Sequence, residues 1–125
     1  MFKAKHVHIL KRNSHLNGKW VFGYLSGNSY ISDLMSGIEY IIDKGTICQN
    51  TGLRDKNGRP IYEHDILSGH LDPEYPDDET REVVRWKTSG FVTYQSPVLK
   101  EVNDPSPLDR YTCENFEVVG NELDN

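Results

Sequence analysis

A chain of 125 residues suits one domain whose core needs neither a disulfide nor a metal staple. The hydrophobic fraction of 36% is low, yet two Trp, seven Tyr and four Phe side chains each bury a large area and can fill a thin core. No apolar run is long enough to cross a bilayer, and the opening MFKAKHVHILKRN sets basic residues on both sides of a very short apolar piece, which excludes a signal-peptide pattern and makes a cytoplasmic location the expectation.

The net charge of −5 is unevenly spread. Residues 1–32 carry five basic groups and no acidic one, whereas residues 33–125 carry nine basic and nineteen acidic groups. Such a basic end suits a phosphate, a nucleic acid or an acidic partner. It equally suits contact with the acidic body of its own or a neighbouring subunit, and the general anionic field favours that over nucleic acid. Cys48 and Cys113 lack CxxC spacing and read as buried thiols, not as a disulfide or a metal site.

In chain order, FKAKHVHIL alternates Phe2, Ala4, His6, His8 and Leu10 against Lys3, Lys5, Val7, Ile9 and Lys11, as a strand does. Asn17-Gly18 signals a hairpin turn before the aromatic run KWVFGYL, so the first 25 residues are expected to form a β-hairpin. SGNSYISDLMSG is turn-rich, and Ser32-Asp33 can cap one helical turn. Residues 38–42, IEYII, read as a strand or a short buried helix closed by Asp43-Lys44-Gly45, and residues 46–52 return as a strand. Asp55-Lys56-Asn57-Gly58 reverses the chain, and Pro60 enters an alternating strand over residues 61–67. Residues 69–82 form an acidic, exposed loop. Residues 82–86 and 91–94 form a second hairpin, residues 97–110 another loop, and YTCENFEVVGN, residues 111–121, a closing strand. Seven or eight short strands imply a mainly β, antiparallel domain with little helix.

Several residue sets could carry chemistry. His6, His8 and His15 could approach a metal, but no acid lies near them in sequence and no metal is expected. His64, Asp65, His70 and Asp72 contain a His-Asp pair without a nucleophile at a recognisable elbow, so no catalytic set is assigned. The acidic loop lacks calcium-loop spacing, and neither GxGxxG nor a P-loop occurs, so no cofactor is expected. The candidate ligand or partner surface is the basic, aromatic beginning of the chain: Lys3, Lys5, Lys11, Arg12, Lys19, Trp20, Tyr24 and Tyr30 combine cations with stacking surfaces. The same aromatic residues also suit core packing or subunit contacts.

TGLRDKNGRPIYEHDIL, residues 51–67, resembles the TGL-x-DKNG-x-x-IYEGDI(L/V) signature of the YopX family of phage and prophage proteins. VVRWKTSGFV, residues 83–92, is similar to that family's VVEW…GF hairpin, and FEVVGN, residues 116–121, to its FEVIGN ending. The resemblance implies a β-rich C-terminal region similar to a small SH3-like barrel, a phage or prophage setting, no established general activity and no catalytic residues. It makes Thr51, Gly52, Leu53, Asp55, Asn57, Gly58, Ile61, Tyr62, Asp65 and Ile66 a structural signature, with Asp65 tying down a turn or a backbone amide. His64 stands where the family has glycine, so the backbone there either keeps ordinary β geometry or holds histidine in a strained position. Residues 1–50 match only loosely.

The expected molecule is one domain, with an N-terminal hairpin and variable part over residues 1–50 and the YopX-like β region over residues 51–121. The expected function is that of a non-enzymatic accessory protein acting by binding, as a homo-oligomer. The alternatives are a counter-defence protein that sequesters a nucleotide-derived immune signal or blocks a host protein, and a small barrel that binds nucleic acid.

Overall fold

The structure, a computed structural model, describes residues 1–7, 18–27, 29–70, 79–87, 90–95 and 105–124. It divides into two compact units, Met1–Asn50 and Thr51–Asn125. The strands form two antiparallel sheets, and the one α-helix among the described residues has six residues.

In the first unit, β1 (Phe2–Lys5), β2 (Trp20–Ser26), β3 (Tyr30–Asp33), β4 (Glu39–Ile41) and the start of β5 (Cys48–Arg54) follow the order β4-β3-β2-β1-β5. The expected hairpin is β1 and β2, with Ala4 opposite Val21. Its turn residue Asn17 lies outside the described residues. Asp33 makes a hydrogen-bonded turn, not a helix: its Oδ1 accepts from the amides of Met35 and Ser36, both at 2.9 Å. Those amides, Ser36 first, hold its carboxyl below the ordinary value, and the turn projects Leu34 and Met35 into solvent. Of the two readings of residues 38–42, the strand is found. Asp43 then caps a single 3-10 turn, Lys44–Thr46, by accepting from Gly45 N at 3.0 Å.

After β4 the chain comes back to β1. His6 bridges Ile42, Asp43 N donates to Lys5 O at 2.9 Å, and Lys5 N donates to Thr46 Oγ1 at 2.8 Å. The sheet therefore has an inner face, where Ala4, Ile31 and Ile42 are buried and Phe2, Val21, Leu25 and Ile47 pack against them.

In the second unit, the rest of β5 turns into β6 (Pro60–Tyr62) through Asp55 to Gly58. Gly58 N donates to Asp55 O at 2.9 Å, and Gly58 supplies the positive φ, 79°, that closes the reversal. β7 (Asp65–Gly69), β8 (Thr80–Lys87), β9 (Gly90–Gln95), β10 (Ser106–Pro107) and β11 (Glu117–Asn121) form a five-stranded sheet in the order β10-β9-β8-β7-β11. The second expected hairpin is β8 and β9, with Trp86 opposite Phe91. Leu67, Val84, Phe116 and Val118 make the core with Ile61. Gly69 is needed there for space: a Cβ would stand 2.6 Å from Phe116 Cγ.

Four expectations change. The barrel-like closure of the C-terminal region is absent among the described residues, because the free edge of β11 is occupied by the Asp55 turn: Val118 N donates to Asp55 Oδ2 at 2.8 Å and Lys56 N to Phe116 O at 3.1 Å. The strand expected over residues 61–67 is two strands, split by a turn at Glu63-His64, where His64 has φ 71°. The closing strand begins only at Glu117; before it, α1 (Arg110–Asn115) forms because Asp109 Oδ1 caps Thr112 N at 2.9 Å and Arg110 pairs with Glu114 one turn on.

The acidic loop also ends sooner than expected, and residues 71–78 lie outside the described ones. Glu82 belongs to β8, opposite Leu67, on the face that carries Val84 into the core, and it is 4% exposed. Its Oε2 has no hydrogen-bond partner among the described residues. Burial raises its carboxyl above the ordinary 4.5, the Thr93 hydroxyl opposes the rise, and Asp109 adds to it.

Two consequences can be measured. Asp55→Ala leaves three backbone amides without their acceptor and is expected to cost about 3 kcal/mol in urea unfolding at unchanged slope; a loss below about 1 kcal/mol would show that the carboxylate holds little. Glu82→Gln is expected to stabilise the protein at pH 7. The unfolded chain releases the Glu82 proton near 4.5 while the folded chain keeps it to higher pH, so wild-type stability falls as pH rises through that window. The gain should vanish below about pH 4, and a gain independent of pH would contradict the assignment.

Candidate functional site

Strand register decides which side chains share a surface, since residues directly opposite in an antiparallel pair point to the same face. Lys3 stands opposite Phe22, Lys5 opposite Trp20, Tyr24 opposite Ser32 and Ser26 opposite Tyr30. All lie on the outer face of the first sheet, while Phe2, Ala4, Val21, Leu25 and Ile31 take the inner one. Five of the eight candidate residues, Lys3, Lys5, Trp20, Tyr24 and Tyr30, thus meet on one surface. Lys19 is exposed just before β2; Lys11 and Arg12 lie outside the described residues.

Phe22 joins them, although its place in the row could be read only once the register was known. Phe22, Tyr24 and Tyr30 are 44%, 57% and 40% exposed. Lys3 and Lys5 put their Nζ atoms 4.5 and 5.5 Å from the centroid of the Trp20 ring. Lys3 is itself buried, so its ammonium fixes the indole from below more than it offers charge to solvent. At the far margin, Glu39 stands opposite Ser32 and accepts from Ser26 Oγ at 3.0 Å. The face therefore runs from lysines at β1, across aromatic rings and serine hydroxyls on β2 and β3, to Glu39 and Ile41 at β4.

The histidines go elsewhere. His6 lies on the inner face, its Nδ1 donating to Ile41 O at 2.9 Å and its ring edge-on to Tyr40 at 5.1 Å. His8 and His15 lie outside the described residues, as does Asp72 of the other histidine set. Among the described residues no group of three His, Cys, Asp or Glu side chains is placed to hold a metal. Cys48 is buried and Cys113 half-buried, both as free thiols; burial, then Asp109, Glu114 and Asp55, raises the Cys113 thiol.

The signature residues serve structure. Thr51 Oγ1 donates to Ile61 O at 2.8 Å and accepts from Leu53 N at 3.1 Å; Leu53 itself is exposed, and Gly52 has positive φ. Asp55 Oδ1 accepts from Asn57 N and Arg59 N at 2.9 and 2.8 Å, and Asn57 Nδ2 donates to Glu117 Oε2 at 2.9 Å. Asp65 ties down the amide expected of it: Oδ2 accepts from Tyr62 N at 2.8 Å, while Oδ1 accepts from Asn121 Nδ2 at 3.0 Å. Ile61 and Tyr62 are buried, and Ile66 pairs with Val83.

His64 is held in the left-handed region by three contacts. Its N donates to Val84 O at 2.7 Å, its O accepts from Glu122 N at 2.9 Å, and its Nδ1 donates to Glu122 Oε2 at 2.7 Å. Arg85 grips the same carboxylate at 2.8 and 3.2 Å. Burial pushes the Glu122 carboxyl up, but hydrogen bonds and charge from Arg85 and His64 carry it below the ordinary value. Nothing local in the sequence marks Glu122 and Arg85, 37 residues apart, as partners.

Left-handed geometry costs a side chain about 1 kcal/mol that glycine avoids. His64→Ala keeps that cost and loses the Glu122 contact, so it should unfold at lower urea than His64→Gly by an equivalent of about 1 kcal/mol. Equal midpoints would show an unstrained backbone.

No curated protein and no solved structure matches the chain significantly. A family model does: the one described as YopX protein matches residues 8–125, nearly the whole chain and well beyond the signature itself. With the signature's turn, its Asp65 tie and the closing β11 strand all in place, the chain belongs to the YopX family.

Proposed function

We propose that this YopX-family chain is a non-enzymatic phage or prophage accessory protein of the host cytoplasm, which works by binding through the outer face of its N-terminal sheet. The observation that carries this is the row of rings Trp20, Phe22, Tyr24 and Tyr30 on one sheet surface, three of them 40–57% exposed. Aromatic side chains left in solvent in a contiguous row lose burial energy that a partner restores. The C-terminal unit, read as an open variant of the small SH3-like barrel, is the frame. Its conspicuous charged groups, Asp55, Asp65, Arg85 and Glu122, are engaged in holding turns and strands, which favours binding over catalysis. The classes of occupant are a second copy of the chain, a host protein and a nucleotide-type molecule.

Native mass spectrometry and sedimentation of the wild type against a Phe22→Ala, Tyr24→Ala, Tyr30→Ala variant test this. The wild type should retain a ligand or associate with itself, and the variant should lose either property at an unchanged thermal midpoint. A wild type that stays a bare monomer, or a variant that behaves identically, would overturn the binding face.

A further inference from the structure

We propose that the outer face of the N-terminal sheet, together with the turn between β3 and β4, is a two-fold interface that takes a second copy of this chain; this rests on the reading of that face as the binding surface and commits it to one occupant. The turn adds what the rings alone do not supply. Asp33 Oδ1 accepts from Met35 N and Ser36 N, both at 2.9 Å, and from Ser36 Oγ at 3.1 Å. Asp33 N donates to Ile38 O and Gly37 N to Asp33 O, both at 2.9 Å, and Gly37 takes the positive φ, 71°, that the reversal needs. A turn tied in this way would close the hairpin just as well with polar side chains at its tip. Instead it holds Leu34 at 51% and Met35 at 96% exposure. Asp33 is paired with Gly23, so the chain leaves β3 beside Phe22 and the two aliphatic side chains extend the row of rings. The backbone that presents them is fixed beforehand, so docking against it orders little.

Area and charge both point to a second copy. At their exposures, Phe22, Tyr24, Tyr30, Leu34 and Met35 leave roughly 600 Å² of side chain in water, taking about 200 Å² for a whole one. A monomer rarely shows a continuous apolar patch of more than a few hundred Å². A standard interface covers about 800 Å² on each partner, of which about two-thirds is apolar between identical subunits. The patch thus has the apolar area of one side of such an interface. A two-fold contact sets a surface against itself, and so excludes a face that carries charge of one sign. Here the charges differ in sign and lie at opposite margins: Lys5, half-buried against Trp20, at the β1 side and Glu39 at the β4 side. A two-fold axis parallel to the strands lays each margin over the opposite margin of the other copy, and leaves the rings and Met35 to pack between them. Methionine suits that place, because its unbranched thioether adapts to the edge or face of a ring.

Sedimentation equilibrium over a concentration series tests this, with Tyr24→Asp and Met35→Asp as variants, both at exposed positions. The wild type should form dimers and stop at two, and each variant should raise the dimer dissociation constant by about tenfold or more at an unchanged thermal midpoint. Trp86→Ala, at the exposed tryptophan of the C-terminal unit, should change nothing. Oxidation by dilute peroxide gives a second readout: Met35 sulfoxide should form more slowly as the wild type is concentrated through the dimerisation range. Association that climbs past two, dimers untouched by both variants, or Met35 oxidation as fast in the dimer as in the monomer would each overturn the two-fold interface. A wild type that is monomeric at every concentration would overturn it as well. In that case a small molecule or host protein held by the wild type and lost from the Phe22→Ala, Tyr24→Ala, Tyr30→Ala variant would leave the binding face standing with another occupant, and no such loss would remove both.

Discussion

The carboxylate of Asp55 is the contact on which the C-terminal unit depends. One oxygen gathers the amides of Asn57 and Arg59 and so sets the reversal between β5 and β6; the other reaches Val118 N on β11, 63 residues away. A local turn and a distant strand are thereby referred to one charged group, which is 6% exposed and must keep these partners to be tolerated inside. Asp65 repeats the device at the next turn, joining Tyr62 N to the Asn121 side chain. The family signature is dense because it specifies two such ties within eleven residues. Its chemistry is that of assembly, and it says nothing about a reaction.

Much of this was legible. A DKNG sequence needs a tight reversal, and an acid one residue before Ile66 in a turn-flanked strand has a backbone amide as its natural partner. The first hairpin could be read because alternation and a turn signal agree. The split at His64 could not, since IYEHDIL alternates in the same way whether the chain runs straight or turns between Tyr62 and Asp65. Only the glycine expected at that position marked the turn. The helix over residues 110–115 is too short to show a 3.6-residue period, and its signals are a capping aspartate and one ion pair. In the sequence Glu82 both ends the acidic segment and opens the second hairpin, and its charge hides that its position in the alternation of β8 is that of a core residue.

The candidate site was half legible for a related reason. Composition located the cations and rings in the first thirty residues but could not say which of them face the same way. That is a property of register, and register here follows from the inner face: with Ala4, Ile31 and Ile42 inside, Trp20, Phe22 and Tyr24 can only be outside. The core of the first unit thus selects its surface. Lys3 shows the limit of counting charges, because burial beneath Trp20 makes it a support for a ring.

The Asp55 turn also acts as a stopper. A strand at the margin of a sheet offers unpaired amides and carbonyls to any extended chain that meets it, and proteins blunt such margins with turns, charges or bulges. On β11 the stopper is a turn that accepts from Val118 N and donates to Phe116 O, and a register shift between Val118 and Gly120 roughens the rest. With that turn closed, the amide of Val118 and the carbonyl of Phe116 are taken and are withheld from intermolecular strand pairing. Opening of that one turn therefore uncovers a sheet margin suited to pairing with another extended chain.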